Sequence, residues 1–346
     1  MLYPLIKTAL FTLAPENAHD LAMTVARLSP TLGRLTGTCP DPRLNIKIGS
    51  THWRSPLGLA AGLDKNAQGL EFFAHQGFGA IEVGTITLKP QLGNPKPRMF
   101  RYPDEKSLRN AMGFPNNGLF EILPRLEAFH TDLPIGANIG KNKDSTPEES
   151  IDELSILIDT LDSSVDYFVI NVSSPNTPGL RALQEKSYLM ELFKNLSPTK
   201  DLYLKIAPDL DESKIVELAH LAQECKLTGL IATNTTIMPE RGAGGVSGTL
   251  LSKKAKMVRE RILKENLPIE LIGVGGVSSS KDLFEFWAQG GKVMQAYTSY
   301  IYQGPDLLRS IHKDILSFLS QEGLKSLEDF FALDLIERKE RLSRVM

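Results

Sequence analysis

Cysteine is nearly absent: Cys39 and Cys225 are the only two in 346 residues, and they stand far apart. They cannot form a C-x-x-C redox or zinc pair, and a reducing compartment suits them. The six histidines are scattered with no H-x-x-x-H spacing, so no metal site is expected. Charge of one sign is also lacking. A formal net charge of −2 gives no basic footprint, and no nucleic-acid partner is expected. No G-x-G-x-x-G stands at the first strand-to-helix turn, which disfavours a Rossmann dinucleotide site. No apolar run approaches the roughly 20 residues that a bilayer span needs. The start lacks the basic segment and small-residue cleavage site of a secretory signal. Internal repeats, low-complexity linkers and any sign of an obligate protein partner are missing too.

What is present is an ordinary globular balance, 42% hydrophobic and 23% charged, enough for one large core. The first 28 residues carry two helical stripes, Leu2, Leu5, Ile6, Ala9, Leu10, Leu13 and then Ala18, Leu21, Ala22, Val25, Leu28, separated at Pro15. Two placements suit such a pair: packed on the protein's own core, or lying in a membrane interface. Few basic residues flank them, so membrane attachment would rest on apolar burial.

From about residue 57 short apolar runs recur: LGLA, GAIEV (79–83), PIGANI (134–139), YFVINV (167–172), LYLKIA (202–207), GLIAT (229–233), ELIGV (270–274) and KVMQAY (292–297). Helical patterns such as ESIDELSILIDTL and SKIVELAHLAQEC lie between them. This alternation predicts parallel β/α units, and eight strands predict a closed (β/α)₈ TIM barrel. NIKIGSTHWRS reads as a hairpin covering the barrel floor. The expected organisation is an N-terminal helical extension over 1–45, a barrel over 46–322 and a C-terminal helical tail over 323–346. The last segment, LKSLEDFFALDLIERKERLSRVM, reads as a solvated amphipathic helix.

Active sites of such barrels lie at the C-terminal ends of the strands. Strand one runs into Asp64 and Lys65, strand two ends at Thr85, and strand three carries Asn138. Strand four delivers Asn171, Ser173, Ser174 and Asn176, and strand six Thr233 and Asn234. Each could be a cap or turn residue. Lys205 is harder to dismiss, because a lysine inside the apolar LYLKIA needs a partner or an anionic ligand. GVGGVSS, with Gly275 and Gly276, and GGVSG, ending at Gly248, offer backbone N–H groups to a phosphate, as loops after the late barrel strands often do. The pattern points to a mononucleotide-sized cofactor.

AAGLDK, GFGAIEVGT, KPRMFR, RNAMGF, NIGKNKD, NVSSPNTPGLR, KIAPDL, ATNTT and GVGGV, in that order, resemble the class 2 dihydroorotate dehydrogenases. These are the membrane-associated, quinone-dependent enzymes of pyrimidine biosynthesis. The resemblance extends from the N-terminal helices to about residue 325. It implies FMN-dependent oxidation of dihydroorotate to orotate, with electrons passed to a quinone. Carried over position by position, Ala61, Gly62, Lys65, Thr85, Asn138, Asn171, Lys205 and Thr233 would contact FMN. Gly248, Gly276, Tyr297 and Thr298 would complete that site, the glycines at its phosphate end. Thr298 stands where the family often has serine, and the hydroxyl is kept.

The resemblance also implies that substrate is held by Lys65, Asn110, Ala111, Met112, Gly113, Phe114, Asn171, Asn176, Asn234 and Thr235, and that Ser174 is the catalytic base. Serine there, where soluble class 1 relatives use cysteine, points to class 2. Asparagines offer both donor and acceptor to a planar, amide-rich ring, and Lys65 can offset its carboxylate. Lys205 would stabilise negative charge on the reduced flavin, and SSPNTPGLR would act as a lid. His19 and Arg101 would face the quinone, with Arg98 of the same PRMFR an alternative. The implied location is peripheral, on the cytoplasmic face of the inner membrane if the source is bacterial. Two other readings stay open: a soluble FMN barrel using NAD or fumarate, and a membrane-resting barrel that only binds a nucleotide.

Overall fold

The computed structural model describes residues 3–177 and 179–345. Leu2 of the first stripe and Pro178 of the expected lid lie outside that range. Eight parallel strands close into a barrel: Leu57–Leu59, Ile81–Ile86, Ile135–Ile139, Tyr167–Asn171, Asp201–Ile206, Gly229–Ala232, Glu270–Val274 and Val293–Ala296. They pair in sequence order, and the last pairs with the first. Each matches one of the apolar runs. Strands three and four are buried at every position, as expected where helices cover the outside and side chains fill the lumen.

The hairpin is present as Ile46–Ile48 paired with Thr51–Trp53. Its Ile46, Ile48 and Trp53 pack with Tyr167, Val169, Tyr203, Ile231, Ile272 and Val293 and close the floor of the barrel. The intervening helices start with local signals that the sequence carries. Thr146 and Glu149 form a capping box on Pro147–Leu161, and Ser279 and Asp282 form one on Ser280–Ala288.

Three features depart from the expected pattern. The N-terminus holds three helices rather than two, Tyr3–Phe11, Pro15–Leu28 and Pro30–Thr36. The long connection after strand two is not merely a loop. Its Met99–Tyr102 and Ser107–Asn110 pair with each other and with Gly245–Gly248 and Thr236–Ile237, making a four-stranded antiparallel sheet beside the barrel mouth.

The third departure corrects the reading of the C-terminus as a solvated helix. The segment forms two helices, Leu327–Ala332 and Leu335–Ser343, with Leu327, Phe330 and Leu342 fully buried. Phe330 packs edge-on to Phe318 and tilted against Trp287, at ring-centroid distances of 5.4 and 5.6 Å. The apolar face of the amphipathic pattern is covered by the barrel's own outer helices.

Candidate active site

The strand ends surround one cleft of about 1370 Å³, its open mouth included. Ala61, Gly62 and Lys65 line it after strand one, Thr85 after strand two, and Asn171, Ser174 and Asn176 after strand four. Lys205, Thr233, Asn234, Thr235, Gly248, Gly276, Tyr297 and Thr298 complete the wall, with Asn110, Met112, Gly113 and Phe114 from the segment beside it. Residues from opposite ends of the sequence thus meet in one place. Asn138 and Ala111 do not line the cleft; Asn138 holds Thr85 and Asn171, which do.

At one end the backbone is open. Gly248, Gly275 and Gly276 all have positive φ, at +87°, +103° and +79°, conformations that favour glycine. Gly248 precedes the 15-residue helix Thr249–Leu263, whose first N–H groups have no partner inside the helix and suit an anion. The Ser299 hydroxyl, on the cleft wall nearby, is buried without a hydrogen-bond partner among the described residues. Gly62 (φ +98°) would set a Cβ 3.4 Å from the Tyr297 ring, so any side chain there would occupy cleft space. Bare backbone, a helix start and an unpartnered hydroxyl fit a nucleotide phosphate and the flat ring system attached to it.

At the other end stands a wall of amides. Asn171 Nδ2 donates to Asn138 Oδ1 (3.0 Å) and Thr85 Oγ1 (3.1 Å), and Thr85 Oγ1 donates to Asn138 Oδ1 (2.6 Å). Asn234 Nδ2 donates to Ser173 Oγ (3.0 Å) and Asn171 Oδ1 (3.3 Å), and Asn176 Nδ2 to Asn110 Oδ1 (3.0 Å). Asn176 Oδ1 has no partner among the described residues although it is buried. A buried amide oxygen left so is costly, and a ring N–H of a ligand would satisfy it. Phe114, at φ +55°, is strained for a side-chain-bearing residue. Its carbonyl is held there by Asn116 Nδ2 (2.9 Å) and Gln91 Nε2 (3.1 Å). Asn94 Nδ2 bonds the carbonyls of both Ala111 (3.0 Å) and Asn176 (2.8 Å), joining the two ligand-facing segments.

Ser174 is buried, and its Oγ accepts the backbone N–H of Asn176 at 3.2 Å. That donor would stabilise negative charge developing on the oxygen. Lys65 is half-buried, and burial pushes its ammonium down to about 8, against the upward pull of Asp64, Asp20 and Glu16. Its Nζ lies 3.3 Å from His19 Nε2. Burial and, secondarily, the Lys65 charge hold His19 well below its ordinary pKa, so a neutral imidazole can accept from the ammonium.

His19 and Arg101, expected to work together, stand in different surroundings. His19 lines a second, polar cleft with Glu16, Asp20 and Arg98. Arg98 is engaged there, its Nη2 2.8 Å from Glu16 Oε1. Arg101 instead lies over the Phe11 ring at 4.5 Å and donates to the Leu13 carbonyl at 2.8 Å. Phe11 meets Tyr302 edge-on at 5.5 Å, and Tyr302 lines the main cleft.

Lys205 has a partner that the sequence reading missed. Its Nζ is 3.2 Å from Oε1 of Glu82, a side chain fully shielded from solvent. The signal was legible: Glu82 interrupts the apolar GAIEV just as Lys205 interrupts LYLKIA, and a buried carboxylate demands a counter-charge. Gln295, also on the cleft wall, was missed as well.

A closed parallel barrel that gathers bare backbone, a buried lysine and a wall of amides at its C-terminal mouth has the place and the chemistry for an enzyme acting on a small polar molecule. The sequence profile of the dihydroorotate dehydrogenase family matches residues 43–319. The dihydroorotate dehydrogenase (quinone) of a Nitratiruptor species is 41% identical, over 96% of this chain and 99% of its own length. That of Thermus thermophilus is 40% identical, over 92% and 97%. The crystal structure of DHODH from Eimeria tenella in complex with ferulenol superposes with a TM-score of 0.83 at 34% identity, covering 91% of this chain and 94% of that one. The chain belongs to the dihydroorotate dehydrogenase family.

Proposed function

We propose that this protein oxidises dihydroorotate to orotate, with FMN as its resident cofactor and a membrane quinone as electron acceptor, in the pyrimidine pathway. The enzymes of the family are flavoproteins, and the relatives from Nitratiruptor and Thermus thermophilus are named as the quinone-dependent kind. The observation that carries the reading is the meeting, in one cleft, of a glycine cradle, Lys205, the amide wall and Ser174.

FMN, when bound, supplies the hydride acceptor and passes the electrons on. The chain's residues do the rest. Gly248, Gly275 and Gly276 would hold the cofactor's phosphate by backbone N–H groups, and Lys205 would supply a positive charge to its ring system. Lys65 binds the substrate carboxylate, while Asn110, Asn171, Asn176 and Asn234 orient the ring amides. Ser174 takes the proton next to the carbonyl while its own hydroxyl proton passes on to solvent at the cleft mouth, and the Asn176 N–H stabilises the oxygen as that proton leaves. A soluble dehydrogenase passing electrons to NAD or fumarate would share this cleft. Turnover with a short-chain quinone but with neither NAD nor fumarate is the expected result, and turnover with NAD would replace this reading by the other.

The N-terminal helices support a membrane contact. Leu5, Leu28 and Leu35 are 70%, 68% and 79% exposed, and Ile6, Leu13, Leu21, Val25 and Leu32 are exposed around them. So many exposed apolar side chains along three neighbouring helices suit an interaction site, and helices lying in the interface plane bind by burying such side chains. No helix among the described residues is long and apolar enough to cross a membrane. Arg101, Phe11 and Tyr302 connect this surface with the cleft, which favours Arg101 over the Glu16-bound Arg98 as the arginine facing the quinone. Deleting the helices would also uncover core, because Ala18, Met23 and Ala26 are buried. The cleaner test is L5E/L28E/L35E. Binding to neutral vesicles should be lost and long-chain quinone turnover should fall at least about tenfold, as loss of the apolar contact implies. Reduction of the flavin by dihydroorotate should stay at the parental rate. Unaltered vesicle binding would remove these helices from the membrane.

A further inference from the structure

We infer that Glu82 is a positioning residue for Lys205, and that its charge sets how readily the bound flavin is reduced. The inference rests on the FMN reading above. Glu82 is on strand two, yet its carboxylate reaches three other strands. Oε1 accepts from Asn138 Nδ2 on strand three (2.7 Å) and Lys205 Nζ on strand five (3.2 Å), and Oε2 accepts from Gln295 Nε2 on strand eight (2.7 Å). Bonds in those directions are possible only through the barrel lumen. Glu82 therefore sits inside the barrel, above the apolar floor of Trp53, Tyr167 and Tyr203 and beneath the cleft, which it does not line.

Barrel interiors are ordinarily filled by branched apolar side chains, and a buried ion pair is no stability device, since apolar replacements often do as well. The placement of the pair gives it a use. Lys205 lines the cleft with its other ammonium hydrogens free of Glu82, and Glu82 stands behind it. Reduction adds negative charge to the group in the cleft. Lys205 favours that charge, and Glu82, one side chain further in, opposes it and offsets part of the lysine's field. The oxygen that accepts from Lys205 also accepts from Asn138, which in turn holds Thr85 and Asn171.

Glu82→Gln tests this with little steric change. The new amide needs an acceptor where the carboxylate met Gln295 Nε2. Gln295 can supply one by turning its own amide, because its Oε1 has no partner among the described residues. The variant should keep one FMN per chain, and its two-electron midpoint potential should rise. The expected size is a tenfold or greater gain in the ratio of reduced to oxidised cofactor at a given potential, about 30 mV for a two-electron couple. Lys205→Gln should lower the potential, and E82Q/K205Q should lie above K205Q. If Glu82→Gln releases its FMN, the comparison of K205Q with the double variant decides by the same sign. A parental or lower potential in Glu82→Gln, or equal potentials in that second pair, would overturn the inference. A parent protein without flavin would instead end the FMN reading.

Discussion

Ser174→Ala is expected to yield a folded, yellow protein that binds orotate as the parent does but is reduced by dihydroorotate about 10²–10⁴-fold more slowly, the usual worth of a positioned base. The expectation follows from what Ser174 touches. It is buried on the cleft wall, and its one hydrogen bond among the described residues is the Asn176 N–H that its oxygen accepts. The barrel would not miss the hydroxyl, so stability should hardly change. Ser174→Cys should keep part of the activity with a pH profile moved to lower pH, because a thiol ionises more readily than an alcohol. Stopped-flow reduction under anaerobic conditions separates this step from quinone turnover. Parental reduction in the alanine variant would make Ser174 an ordinary turn residue.

The second large effect belongs to Lys65. If its ammonium binds the substrate carboxylate, orotate affinity must fall as pH rises through about 8, where burial has pushed the group. The sign is fixed. An arriving anion raises the lysine's pKa, so binding above that pH takes up a proton, and the dissociation constant should grow by up to about tenfold per pH unit. Asp64, Asp20 and Glu16 oppose the downward shift, and Arg98 adds to it. Lys65→Met should weaken orotate by roughly 2–5 kcal/mol, the range for removing one partner of a buried charge pair. It should also flatten the pH dependence. Titration of the flavin absorbance with orotate from pH 7 to pH 9.5 reads both. A parent protein with constant affinity over that range would take the carboxylate away from Lys65.

Much of this was legible because strand periodicity and strand ends are local signals. An apolar run of four residues closed by Asn171 or Thr233 announces both the strand and the polar group at its mouth. Lys205 stood out because burial of an ammonium needs an explanation. Glu82 obeyed the same logic and was overlooked, lying near the start of its strand, Ile81–Ile86, rather than at the C-terminal end. Other features had no local signal. Gly245–Gly248 pairs with Ser107–Asn110 across more than a hundred residues, and strands that short carry almost no periodicity. The C-terminal helices present the same amphipathic pattern whether or not something covers them; only the fold puts Trp287 and Phe318 against Phe330. The contact of His19 with Lys65 likewise depends on how helix Pro15–Leu28 docks, which its sequence does not state.

The claim at the centre is that this cleft holds FMN and transfers electrons to it from dihydroorotate. The most direct measurement is anaerobic mixing of the purified protein with dihydroorotate while its visible spectrum is followed. Rapid bleaching of the flavin bands, with orotate formed in amounts equal to the flavin, is the predicted result. A protein that carries FMN and keeps its oxidised spectrum in excess dihydroorotate would contradict the account.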